Sequence, residues 1–177
     1  NNGGDGYVVA RLLGELGIPV AVFRDHAPRT GSDAAVAASS WNRAVTPLAD
    51  FAPQPGDVVI DALYGAGFKG ALEGVEADAV AKVAASAVPV VAVYLPSGVD
   101  GNTGQTSGPA FRANHTVTFF RKKPGHLLYP GRELCSVLHV ADIGIPARVL
   151  DHMALGLGEN SPDVFRAALP NPSATAH

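Results

Sequence analysis

The chain holds one cysteine, one methionine and one tryptophan in 177 residues. A lone thiol, Cys135, excludes a disulfide framework and a CxxC metal site, and it fits a reducing, cytoplasmic setting. Charge is also scarce, with 16% Asp, Glu, Lys and Arg, and the formal net charge is −3. That balance leaves no basic footprint for nucleic acid or an anionic membrane. The longest charge-free stretch, Val83 to Val99, is broken by Ser86, Pro89, Pro96 and Gly98. It falls short of the ~20 unbroken apolar residues of a membrane span and reads as a helix end followed by a buried strand. The polar, glycine-rich opening has no signal-peptide pattern. No G-x-x-x-x-G-K-[ST] run occurs, so a P-loop nucleotidase is not indicated. Ser97 sits in Pro-Ser-Gly rather than G-x-S-x-G, so a nucleophile elbow is unsupported. The six histidines lack zinc-ligand spacing.

What is present is apolar sequence, 47% of the chain, enough for one globular domain with a sizeable core. Twenty glycines and fourteen prolines imply many tight turns or loops where backbone approaches a ligand. Val8, Val9, Leu12, Leu13 and Leu16 fall at helical spacing, with Gly17 as the stop. Further helices are predicted from Ser32 or Asp33 to Asn42 or Arg43, and from Val75 to Ala87. Strands are predicted at 18–23, 57–63, 88–93, 115–120 and 137–143. The run Val88-Pro-Val-Val-Ala-Val93 is apolar throughout, as in a strand covered on both faces. Alternating strands and helices predict an α/β fold with a mostly parallel sheet and helices on both faces.

Ligands in such sheets bind beyond the carboxyl ends of the strands. Three polar, glycine-bearing segments are expected there. The opening Asn1-Asn-Gly-Gly-Asp-Gly6 starts a helix whose free N–H groups could hold an anion, although a helix cap after a turn would look similar. Gly65-Ala-Gly67-Phe-Lys-Gly70 matches the dinucleotide fingerprint G-x-G-x-x-G. The acid expected ~20 residues later is missing, however, because that stretch is Val90-Val-Ala-Val-Tyr94, so an ordinary nicotinamide dehydrogenase is disfavoured. Asp61 ends an apolar strand, where a carboxylate must be paired or bound to a cation. It reads either as a cap to loop amides or as an oxygen ligand to a hard cation, together with Asn2 and Ser97. His126, beside Lys122 and Lys123, reads either as part of a phosphate contact or as a solvated basic turn.

Taken together, several segments resemble the YjeF N-terminal family of NAD(P)H-hydrate epimerases. They are Asn1 to Gly6, Asp61-Ala-Leu-Tyr-Gly-Ala-Gly67, Leu95-Pro-Ser-Gly-Val-Asp100-Gly-Asn-Thr-Gly104, Thr116-Val-Thr-Phe119, Lys123-Pro-Gly-His126, Pro130-Gly131 and Val140-Ala-Asp-Ile-Gly-Ile-Pro146. They run in order to about residue 150. The resemblance implies a three-layer Rossmann-like sandwich, commonly dimeric, that interconverts the R and S forms of hydrated NADH or NADPH, a metabolite-repair isomerase. It implies that Asn1, Asn2, Gly3, Gly4 and Asp5, with Gly65, Ala66, Gly67, Phe68, Lys69, Gly70 and Ala71, bind the hydrated dinucleotide. It implies a potassium ion on Asn2, Asp61 and Ser97, and no organic cofactor. Asp61 and Tyr94 are the catalytic candidates.

Two departures accompany the resemblance. The family usually carries Asp immediately before the hydrophobic-Pro-Ser-Gly run, at a substrate-contacting position, where this chain has Tyr94. A phenol keeps its proton at neutral pH and cannot serve as a carboxylate base, so weakened activity is expected, or a silent nucleotide-binding or dimerisation module on the same fold. Family members also carry a leading helix and first strand before the Asn-Asn motif. The expected organisation is therefore an epimerase domain at 1–152, lacking that helix and strand, and a linker at 153–177 toward an ADP-dependent dehydratase domain.

Overall fold

Helix α1 (Gly3–Glu15) ends where Gly17 takes φ +77° and the Gly17 and Ile18 amides return to the carbonyls of Gly14 and Leu13. Its inward face is not the aliphatic stripe that the spacing suggests. Tyr7 and Ala10 are buried against Trp41, and Gly4 lies so close to Ala34 that a Cβ there would sit 3.2 Å from the Ala34 Cα. Small residues let α1 approach α2 (Asp33–Ser39), which leaves Val8, Leu12 and Leu16 exposed. Helix α2 opens on Ser32, whose Oγ accepts from the Ala35 amide, and it stops at Ser39, short of the expected Asn42. Trp41 turns inward there and donates its indole N–H to the Ala44 carbonyl. The structure is a computed structural model that describes residues 3–153 and 156–169.

Strand β1 (Val22–Arg24) is shorter than the expected 18–23, because Pro19 has no amide to give and Ile18 is exposed. It pairs in parallel with β2 (Val45–Pro47), a three-residue strand too short to show an alternation pattern. The larger sheet runs β3 (Val59–Asp61), β4 (Val90–Val93), β5 (His115–Phe119), β6 (Val137–Ala141) in spatial order, every pair parallel. This is the expected Rossmann-like α/β architecture. Among the described residues no strand joins β1 to β3, so each keeps one unpaired edge.

Helix α3 (Gly74–Ser86) presents Ala79 and Val83 to a core that includes Leu72, Val88, Val90, Ala92 and Phe111. Val90, Ala92 and Val93 of β4 are all buried, as an apolar run in a central parallel strand should be. The 96–114 segment is a loop, and the five-residue helix α4 (Gly131–Cys135) after it carries no periodic signal. Contacts divide the chain into a unit ending at Ile143 and a second from Gly144 onward. The second contains the short helix α5 (Pro162–Phe165), and Leu157 and Val164 there are exposed.

Candidate functional site

Strands β3 and β4 end side by side, Asp61 in register with Ala92, so the loops leaving the two strands lie at one edge of the sheet. Asp61 closes β3 and is only 2% exposed. Ser97, 1% exposed, gives it two hydrogen bonds: Oγ donates to Oδ1 at 2.6 Å and the amide donates to Oδ2 at 2.7 Å. The Leu63 amide adds a longer one at 3.4 Å. Burial pushes the Asp61 carboxyl up to about 6 against the pull of these donors. No cationic side chain pairs with it among the described residues.

The Ser97 hydroxyl also accepts from the Tyr64 amide at 2.9 Å, which ties the Asp61–Ser97 pair to the wall of an open cavity of about 610 Å³. Tyr64, Gly65, Ala66, Gly67, Phe68, Lys69, Ala71 and Tyr94 line that cavity. Tyr64 and Phe68 rings lie 4.7 Å apart, and the Tyr64 hydroxyl donates to Glu76 at 2.7 Å. Burial, then the Glu76 carboxylate, push the Tyr64 phenol up to about 12.

The glycine loop is fastened to the loop after Ser97. Lys69 pairs with Asp100 at 2.5 Å, and Asp100 also accepts from the amides of Asn102 and Thr103. The Lys69 ammonium comes first among the causes that hold the Asp100 carboxyl down at about 2. Gly101 lies against Ala66, where a Cβ would come within 2.5 Å of the Ala66 carbonyl oxygen. The G-x-G-x-x-G run does not open a helix: α3 begins only at Gly74, after Glu73, so the loop presents no helix N-terminus of its own. This removes the geometry that makes the fingerprint bind a pyrophosphate.

Tyr94 leaves β4 with φ +76°, rare for a bulky residue. Its amide donates to the Val117 carbonyl at 2.7 Å, its ring packs on Phe119, and the Lys123 ammonium lies 4.4 Å from the ring centroid. Lys123 in turn donates to the carbonyls of Phe119 and Arg121.

The fold therefore brings Asp61, Ser97, Tyr94 and six of the seven glycine-loop residues together; Gly70 is not among the lining groups. Gly3, Gly4 and Asp5 form the first turn of α1. A Cβ on Gly6 would meet the Ala62 Cβ at 3.0 Å, which places the start of α1 beside the end of β3. Asn1 and Asn2 lie outside the described residues. Sequence reasoning misses Tyr64 and Asp100 as site residues, although both sit inside the quoted motifs.

The profile of the YjeF-related protein N-terminus family matches residues 1–125. A bifunctional NAD(P)H-hydrate repair enzyme from Thermofilum pendens is 39% identical over 92% of this chain, and one from Moorella thermoacetica is 36% identical over all of it. The chain spans about a third of the length of these two relatives, 33% and 36%. An NAD(P)H-hydrate epimerase from Levilactobacillus brevis is 36% identical, with 84% of this chain covering 70% of that protein. The crystal structure of the yeast protein YNL200c superposes with a TM-score of 0.70 at 23% identity, over 92% of this chain and 71% of that one, which is a likeness of fold.

Proposed function

Since this chain belongs to the YjeF-related N-terminal family, we propose that it is an NAD(P)H-hydrate epimerase domain that interconverts the R and S forms of hydrated NADH or NADPH. The carrying observation is a buried carboxylate, Asp61, held by Ser97 directly behind a cavity walled by a glycine loop and three aromatic rings. The names of the relatives support the substrate class.

The inverted carbon of such a hydrate bears a hydroxyl and is bonded to the ring nitrogen. The nitrogen lone pair expels the hydroxyl, which leaves as water once protonated, and an iminium remains. Water then adds to the opposite face and loses a proton, so the atoms balance with one water out and one in. The protein must hold the ring, donate one proton and accept another. The rings of Tyr64, Phe68 and Tyr94 offer flat surface to a planar base or pyridine ring. Tyr94 can donate from its phenol, and Asp61, its carboxyl pushed up to about 6 by burial when no cation is bound, is the group able to exchange a proton. In this reading the phosphates lie along the glycine loop 65–69, which lines the cavity.

Asp61 also fits a bound cation. A fully buried carboxylate with neutral donors on both oxygens retains a charge that a potassium ion would compensate, with Ser97 and Asn2 as further oxygen donors. When bound, that ion would supply a fixed positive charge beside the phosphates. A second activity on the same polypeptide, a dehydratase, belongs to the proposal, supported by the bifunctional names of the relatives. So do a homodimer and a cytoplasmic setting, the latter supported by the free, buried Cys135. No helix among the described residues is long and apolar enough to cross a membrane.

Tyr94 supports a second reading, a nucleotide-binding module with little turnover, because a phenol replaces the family carboxylate. The deciding experiment tracks chirally resolved hydrated NADPH in oxygen-18 water. The epimerase reading expects equilibration of the two forms with label uptake at the inverted carbon. Binding without equilibration establishes the silent module, and inversion without label rules out the iminium route.

A further inference from the structure

His126 is 2% exposed and lies outside the residues lining the cavity, yet both of its ring nitrogens are committed. The Lys123 amide donates to Nδ1 at 2.8 Å, so Nδ1 carries no proton. The proton is then on Nε2, which donates to the Tyr94 carbonyl at 2.8 Å. Burial, with Lys122 and Lys123 nearby, holds the imidazole below its ordinary range and keeps it neutral.

The turn that carries His126 is fixed in its own right. The Gly125 amide donates to the Gly101 carbonyl at 2.8 Å, and a Cβ on Gly125 would come within 2.6 Å of the Asp100 carbonyl oxygen. From that anchor the imidazole reaches the carbonyl of a residue in the left-handed region, where an L side chain is strained and must be held by its surroundings. The ring of that residue forms one wall of the cavity.

We propose that His126 is the positioning residue for Tyr94: a neutral imidazole outside the cavity fixes the Tyr94 carbonyl, and with it the left-handed backbone and the direction of the ring. The consequence for binding rests on the cavity taking a hydrated nicotinamide dinucleotide. The hold of His126 on Tyr94 does not depend on which ligand the cavity takes.

A double-mutant cycle separates positioning from general stability. His126→Ala should weaken binding of hydrated NADPH about tenfold, the worth of one buried hydrogen bond. His126→Gln, which can still donate, should recover most of that loss. In a Tyr94→Gly background the backbone adopts φ +76° unaided, so His126→Ala should cost nothing further. An equal loss in both backgrounds, or no loss in the Tyr94 chain, overturns the proposal. A second measurement needs no dinucleotide: ¹⁵N ring spectra of the native chain should show His126 protonated at Nε2 and bare at Nδ1, and the Tyr94 ring signals should shift in His126→Ala. The opposite tautomer, an imidazolium at neutral pH, or unmoved Tyr94 signals overturns it as well. Failure of the native chain to bind any dinucleotide would count against the cavity's substrate, and the spectra would still decide the role of His126.

Discussion

Ser97 holds both oxygens of Asp61, with its hydroxyl on one and its amide on the other, across 36 positions of sequence. A carboxylate at the end of one strand and a serine after the next are thereby locked into one unit, and the stability of the chain becomes sensitive to the proton on that carboxyl.

Asp61 has a folded pKa raised from 3.8 to about 6. A raised carboxyl stabilises the folded state fully below the unfolded pKa, and that contribution is lost as pH rises through the folded one. The loss spans roughly pH 4 to 6 and amounts to about 3 kcal/mol. Potassium should therefore raise the melting temperature at pH 7.5 and leave it unchanged at pH 4.5. Asp61→Asn should flatten that pH dependence and abolish the potassium effect. An equal rise with tetramethylammonium would remove the cation site from Asp61.

Ser97→Ala deletes the hydroxyl that Asp61 accepts from and that also accepts from the Tyr64 amide. Two buried partners are left short of a hydrogen bond, so the cost should be about 1–3 kcal/mol in urea unfolding at neutral pH. The Asp61 carboxyl should titrate higher still, readable by ¹³C spectroscopy.

Tyr94→Asp restores a carboxylate at a left-handed position that Asp tolerates better than Tyr. Epimerase turnover should rise with little change in KM. Unchanged turnover would show that Asp61 already meets the acid–base need, and a fall in KM alone would show that the native ring obstructs the cavity.

Gly131→Ala drives a Cβ into the Gly125 carbonyl oxygen, a backbone atom with no room to retreat. Overpacking of this kind costs about 1–3 kcal/mol. The same substitution at Gly67, which faces open space, should be near neutral in a paired thermal melt.

Val8, Leu12 and Leu16 make an exposed apolar stripe on α1, and β1 and β3 each keep an unpaired edge among the described residues. Such surfaces promote association. Light scattering should show this chain self-associating with concentration, and Leu12→Lys with Leu16→Glu should reduce it. A monomer at all concentrations would show that the stripe is harmless.

The parallel architecture is legible in the sequence because β4 is an unbroken apolar, valine-rich run and α3 an Ala-rich helix, both stable under local rules. The inward face of α1 is not, because packing against α2 rewards the small Gly4 and Ala10 over the larger aliphatics. Strand β2 is a matter of pairing with β1, which leaves no mark in three residues. Asp61 and Ser97 are legible as polar groups at strand ends; their mutual hydrogen bonds depend on the loop path. The joint commitment of His126 to Lys123 and Tyr94 is a tertiary fact, and locally the residues read as a phosphate contact or a solvated basic turn, whereas His126 is buried.

The loops that form and back the cavity are joined by backbone contact at glycines. The loop after Ser97 is welded to the 124–131 turn through Gly101, Gly104, Gly125 and Gly131, where the backbones touch. Gly67 and Gly70 of the opposing loop face open space. That loop is nonetheless tied to the loop after Ser97 at two points, the Ala66–Gly101 contact and the Lys69–Asp100 pair. Because the second tie is a partly exposed ion pair, salt weakens it and leaves the backbone contact untouched.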